Sequence, residues 1–167
     1  VRFTRFFQAT AMSSATRHCL LTGLYPVRSG AYPNHTRLND GVGTLPQYLK
    51  QAGYRVALEG KRHIAPIEAF PFEYLSNEQQ RTVYPELINL VDTPATRKQF
   101  RNYLAEINEL DNQVGAVDAL LHKYGLDENT IFIFTSEQGY SFPFGKWTCY
   151  DEGLHTGFVI RWPGTVK

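Results

Sequence analysis

Thr130-Ile131-Phe132-Ile133-Phe134-Thr135 is a near-continuous run of β-branched and aromatic residues. Such a run, bounded by polar neighbours, reads as a strand buried on both faces, the kind found in parallel sheets. Just before it, Thr93-Pro94 is a helix-start signal. From there to about Tyr124, Phe100, Tyr103, Leu104, Ile107, Leu110, Val114, Val117, Leu120 and Leu121 recur at steps of three and four. That spacing predicts one long helix with a single buried apolar stripe, interrupted by Gly115 and closed by Gly125. A long helix leading into a buried strand is the repeating unit of a layered α/β fold.

Working outward, Tyr54-Arg55-Val56-Ala57-Leu58-Glu59 reads as a second strand and Phe158-Val159-Ile160-Arg161-Trp162 as a third, closed by Pro163-Gly164. Ser13-Ser14 read as hydroxyl caps of a short helix ending at Gly23, and Thr44-Leu45-Pro46 opens another that Gly53 ends. Residues 24–43 are rich in Gly, Pro, Asn and Asp and read as a loop. Residues 64–92 contain Pro66, Pro71 and Pro85, lack a period and read as mostly irregular, and residues 1–12 are apolar without a clean period. The expected architecture is α/β, a mostly parallel sheet flanked by helices, with Tyr54–Glu59 and Thr130–Thr135 in the same sheet.

Length and charge narrow the function. A chain of 167 residues fits one domain and can bury a core without a disulfide or metal staple. Lys+Arg 17 against Asp+Glu 16 leaves a net charge of +1, which excludes a strongly basic nucleic-acid or membrane-surface footprint. No apolar run has the length of a membrane span, and no signal-peptide pattern opens the chain. Beginning at Val1 without a methionine, the chain is expected to start at a cut end. Cys19 and Cys149 are too few for a disulfide framework.

Four short segments offer chemistry, and each also has an ordinary reading. Ser13 with Arg17 one turn later could bring a hydroxyl and a guanidinium to one anion at a helix start, or Ser13 could simply cap. Ser14 is the better placed of the two serines to cap free amides. Lys61 and His63 are two apart, so in extended chain they point to one side at a strand's C-terminal end, where open α/β sheets bind ligands. Glu137-Gln138 at the end of the buried strand offers hard oxygen donors for Ca²⁺ or Mg²⁺, or an ordinary turn. Lys146 stands close beyond it, where a surface lysine is the default. His155 reads as structural beside its strand.

Their order is more telling than any one of them. Ser13-x-Ala15-x-Arg17, Leu21-Thr22-Gly23-x-Tyr25-Pro26-x-Arg28-x-Gly30, Gly60-Lys61-x-His63, Phe134-Thr135-Ser136-Glu137-Gln138-Gly139, Lys146-Trp147 and Arg161-Trp162-Pro163-Gly164 together resemble the formylglycine-dependent sulfatases. Residues 60–72 and Asp92-Thr93-Pro94 are nearest the heparan N-sulfatase (sulfamidase-like) branch. The resemblance implies an alkaline phosphatase/sulfatase-like fold. It also implies hydrolysis of sulfate esters or sulfamates of carbohydrates through a Cα-formylglycine made from Ser13 by a radical-SAM maturase. By the same resemblance Arg17, Lys61 and Lys146 would bind the sulfate, and His63 would hydrogen-bond the hydrated aldehyde. Glu137, Gln138 and the modified residue 13 would hold Ca²⁺, or Mg²⁺, although Glu and Gln are each one methylene longer than the family's usual pair. A hydrated aldehyde supplies two hydroxyls, one to attack sulfur and one whose proton loss expels sulfate. A periplasmic or secreted location is expected from the family.

Three departures lead us to expect a partial sulfatase catalytic domain over 1–167. The paired-aspartate strand that opens the family's sheet would precede Val1. Residues 73–92 leave no room for the segment that supplies a second active-site histidine. The smaller C-terminal subdomain would follow Lys167. Two other functions stay open at this point: a phosphoesterase or phosphonate hydrolase using Ser13 unmodified, and a non-catalytic module that binds sulfated glycans.

Overall fold

A computed structural model describes residues 1–75 and 93–166. Of the stretch 64–92 expected to be mostly irregular, residues 76–92, with the motif residue Asp92, lie outside the described residues. Strand β1 (Arg2–Phe7) leads to helix α1 (Ser13–Thr22), the short α2 (Pro26–Ser29) and α3 (Leu45–Gln51). Strands β2 (Ala57–Leu58) and β3 (Glu73–Tyr74) follow, then the long α4 (Pro94–Lys123), β4 (Phe132–Thr135), α5 (Asp151–Leu154) and β5 (His155–Arg161). Among the described residues no helix is long and apolar enough to cross a membrane.

The chain is α/β, but its sheets are smaller than the sequence reading expects. Strands β1, β5 and β4 form one sheet with β5 in the middle, and both pairings are antiparallel. The parallel pair is β2 with β3, in a separate two-stranded sheet. The expected single, mostly parallel sheet uniting residues 54–59 with 130–135 is therefore not formed by the described residues. Local pairing explains the difference. Among the described residues the segment 54–59 pairs in register through Ala57 and Leu58, with Glu73 and Tyr74, while β4 is met by a strand that returns through residues 136–154. Strand β1 is not announced by its sequence, yet it is held by ring contacts: Phe6 stacks on Phe158 (4.5 Å) and Phe7 on His155 (4.8 Å).

Helix α1 runs unbroken because residues 13–22 contain neither Gly nor Pro, and it stops at Gly23, whose φ of 69° suits a residue without Cβ. Under it lies the main apolar cluster, Ala31, Leu38, Ile64 and Phe70, packed by Leu21 and Phe72. His18, fully buried, sets an edge against Phe70 at 5.5 Å. Its ring is satisfied at both ends, with Nδ1 2.7 Å from Ser14 O and Nε2 accepting from the Ala65 N–H at 3.1 Å. A buried polar side chain must be paired in this way or it destabilises the core.

Helix α4 forms over almost the expected range, and the Thr93 hydroxyl caps it by accepting from the Thr96 N–H at 3.1 Å. Its stripe is not buried, however. Thr96 is its one buried residue, while Leu104, Ile107, Leu110 and Leu120 are between 43% and 53% exposed. The helix is tied down near its start, where Phe100 stacks on Phe142 (5.3 Å), and by an ion pair from Asp118 to Arg161 (2.8 Å). The described residues supply no layer to cover the rest of the stripe.

Candidate active site

Ser13 is the first residue of α1, and the preceding Met12 is the cap residue, with extended backbone and no side-chain cap bond. This corrects the reading of Ser13-Ser14 as hydroxyl caps. Both hydroxyls are engaged elsewhere. The Ser14 hydroxyl lies 3.3 Å from His18 Nδ1, and its backbone N–H donates to Asn34 Oδ1 at 3.0 Å. The Ser13 hydroxyl donates to Glu137 Oε2 at 2.8 Å. With Ser13 inside the first turn, Arg17 falls on the same face one turn later. Its guanidinium donates to Ser13 Oγ and, at 3.2 Å, to Ser13 O.

Four of the expected residues converge on that hydroxyl or on the carboxylate beside it. Arg17 forms an ion pair with Glu137, and its Nε donates to Lys61 O at 3.3 Å. The Lys61 ammonium is 3.5 Å from Glu137 Oε1. His63 Nδ1 is 2.9 Å from Ser13 Oγ. Ser13 itself is 3% exposed, so these groups act in a partly dehydrated space where charge interactions are stronger than in water. Burial comes first in pushing the His63 imidazole down to about 4, helped by the neighbouring His35, Lys61, Arg17 and His18. His63 is thus neutral at pH 7, able to hold or pass a proton at Ser13.

Glu137 is positioned by the end of β4 and by the turn after it. At Gly139 a Cβ would collide with the Glu152 carbonyl, so only glycine lets the chain pass there, and its N–H donates to Gly153 O at 3.1 Å. Gln138 Nε2 donates to Glu137 Oε1 at 2.8 Å, while Gln138 Oε1 is buried without a hydrogen-bond partner. That orphaned oxygen, a carboxylate and the residue-13 oxygen make a donor set suited to a hard divalent cation. They fall short of the six to eight oxygens such an ion typically takes, and the described residues hold no group of three or more His, Cys, Asp or Glu that could complete it.

Lys146 lies in the loop between β4 and α5, its N–H donating to Tyr140 O at 2.7 Å and its ammonium 5.5 Å from the Trp147 ring. The Trp147 N–H donates to Ala11 O at 3.2 Å, tying this loop beside the entry to α1. His155 sits away from this cluster in the described contacts, with Nε2 2.9 Å from Thr4 O.

Two neighbours of the site escape the sequence reading. His35 Nδ1 lies 2.8 Å from His63 Nε2, and Asn34 Nδ2 is 3.1 Å from His35 Nε2. Nothing in Pro33-Asn34-His35 distinguishes them from ordinary loop residues. The signal is conformational: His35 and His63 have φ of 66° and 42°, a region that costs an L residue about 1–3 kcal/mol and persists only where its surroundings hold it there.

Comparison with known proteins adds a second line. A family model described as Sulfatase matches residues 1–95 and 72–167. An ulvan-active sulfatase of Formosa agariphila is 27% identical, covering 100% of this chain and 42% of that protein. Human N-sulphoglucosamine sulphohydrolase is 23% identical over 99% of this chain and 46% of its own length. Rat N-acetylgalactosamine-6-sulfatase is 23% identical over 98% of this chain and 50% of its own length. The chain spans about half the length of these curated relatives.

Proposed function

The chain belongs to the sulfatase family, and from that premise we propose that it is part of the catalytic domain of a hydrolase for sulfate esters or sulfamates of carbohydrates, with Ser13 as the reacting residue. The observation that carries this reading is the convergence of Arg17, His63 and Glu137 on one buried hydroxyl. A structural serine needs one partner; a nucleophile position needs a cation for the anion it binds, a group to move its proton and an acceptor for that proton.

Converted to a Cα-formylglycine by a maturase, residue 13 would offer a second hydroxyl and hence a route for sulfate to leave. The remaining work falls to the chain's own side chains. Arg17 and Lys61 flank the position and would neutralise the sulfate oxygens. A preorganised cation of this kind is worth about 2–4 kcal/mol in the transition state. His63 would hydrogen-bond the residue-13 oxygen. Lys146 would meet the leaving oxygen or nitrogen, reached by the loop that Trp147 anchors beside Ala11. Glu137 and Gln138, with residue 13, would hold a Ca²⁺ or Mg²⁺ ion, which supplies positive charge to the transferring group. Arg17 and Lys61 also balance the charge of the Glu137 carboxylate.

The relatives' names point to ulvan and N-sulphoglucosamine as the first substrates to try. A periplasmic or secreted enzyme fits such substrates. The test is sulfate release by the full-length, matured enzyme and its Ser13→Ala variant. The expected result is turnover by the former and its loss, with the fold kept, in the latter. Sulfate release surviving Ser13→Ala would overturn the reading, and phosphate release in its place would favour a phosphoesterase.

A further inference from the structure

We propose that His35, with Asn34 behind it, is a positioning residue that fixes which nitrogen of His63 carries the proton. The proposal deepens the sulfatase reading, on which it rests for its functional consequence, but the geometry that carries it is independent of any reaction.

The argument follows donors and acceptors one at a time. A backbone N–H can only donate, so Ser14 N–H at 3.0 Å requires the oxygen of the Asn34 amide at that end. The other end of the amide is then its NH₂, which can only donate, and it faces His35 Nε2 at 3.1 Å. His35 Nε2 therefore accepts and bears no proton. A neutral imidazole with a bare Nε2 has its proton on Nδ1, so His35 donates to His63 Nε2 across 2.8 Å. His63 must accept there, which leaves its own proton on Nδ1, directed at Ser13 Oγ across 2.9 Å. The chain closes consistently, because Ser13 Oγ accepts from His63 and Arg17 while donating its own proton to Glu137. Reversing any link sets two donors or two acceptors face to face. Protonating either imidazole does the same at the His35–Asn34 or His63–His35 contact.

The chain starts at an amide of the same helix turn that carries Ser13, so the imidazole is registered to the residue it serves. His35 is exposed and contributes nothing to the apolar cluster. Its left-handed backbone, φ 66°, and that of His63, φ 42°, bring the two rings to 4.6 Å between centroids. The functional consequence is a defined N–H aimed at the residue-13 oxygen before substrate arrives. Losing an orienting partner of this kind leaves a site histidine in place but presenting the wrong nitrogen.

The test uses the full-length, matured enzyme with ¹⁵N-labelled histidine. Long-range ¹H–¹⁵N spectra read each tautomer directly, without substrate. In the parent, His63 is expected as the Nδ1–H form. His35→Phe keeps a ring but removes the donor, and should move His63 to a mixture or to the Nε2–H form. His35→Gln, whose amide can accept from Asn34 and donate to His63, should restore the Nδ1–H form. In kinetics His35→Phe should lower kcat about tenfold to a hundredfold with KM nearly unchanged, and His35→Gln should recover most of it. Finding His63 as Nε2–H in the parent, or unchanged in His35→Phe, would overturn the proposal whatever the activity. If the tautomers behave as expected while Ser13→Ala still releases sulfate, the relay stands and the sulfatase reading falls.

Discussion

Helix α1 has 10 residues and buries Ser13, Ser14, Ala15, Thr16 and His18, whereas α4 has 30 and buries only Thr96. The order is the reverse of what the regular apolar stripe of α4 predicts. Most of the buried side chains of α1 are polar, and each polar one is spoken for: Ser13 by Glu137, Ser14 and His18 by each other, Thr16 by Thr10 O at 2.6 Å. Helix α4 has the regular stripe and leaves it open. Amphipathic spacing says that a face needs cover, and nothing about whether the described residues provide it. Polar burial, by contrast, is tolerated only where partners are already in place, which is why it marks the site.

Stability should divide along the same line. Phe70→Ala, which removes the ring beneath His18, is expected to cost about 3–5 kcal/mol, read by chemical denaturation. A cost below about 1 kcal/mol would mean that the cluster under α1 does not hold this half together.

A sharper probe of α1 is Arg17→Ala. It should leave the melting temperature within a few degrees of the parent and lower kcat about a hundredfold to a thousandfold in the matured enzyme. A large loss of stability with little change in kcat would make Arg17 a structural partner of Glu137 and break the contrast from the functional side. The smallest effect belongs to α4. Leu110→Ala is expected to cost under about 1 kcal/mol in this chain, since the side chain already meets water. A cost above about 2 kcal/mol would mean that the stripe is covered after all.

What the sequence made legible follows the same physics. Spacing of four residues put Arg17 over Ser13, and the strand end put Glu137 within reach, because helix and strand periods are local properties. Lys61 and His63 reach Glu137 and Ser13 from the chain after β2, but His63 has a φ of 42° and not the extended backbone that the two-residue spacing assumed. The caps misled, since a serine before a helical run reads as a cap whether or not a carboxylate elsewhere claims its hydroxyl. Sheet topology misled as well: a strand's apolar content speaks of burial, and which strand it pairs with depends on the return path through residues 136–154. Helix α2 has its Pro26 start and its Gly30 stop in plain view, yet it is only four residues long. His35 and Asn34 could not be read at all. Their role depends on two loops 28 residues apart meeting in space, and no period connects them.

The central claim is that residue 13 is a reacting position. The most direct measurement is mass spectrometry of the tryptic peptide Phe6–Arg17 from protein co-expressed with a radical-SAM maturase. Conversion of Ser13 to formylglycine removes two hydrogens, so the account predicts a peptide lighter by about 2 mass units, with the fragment series placing the loss at residue 13. An unmodified peptide from enzyme that releases sulfate, or a loss placed at Ser14, would contradict it.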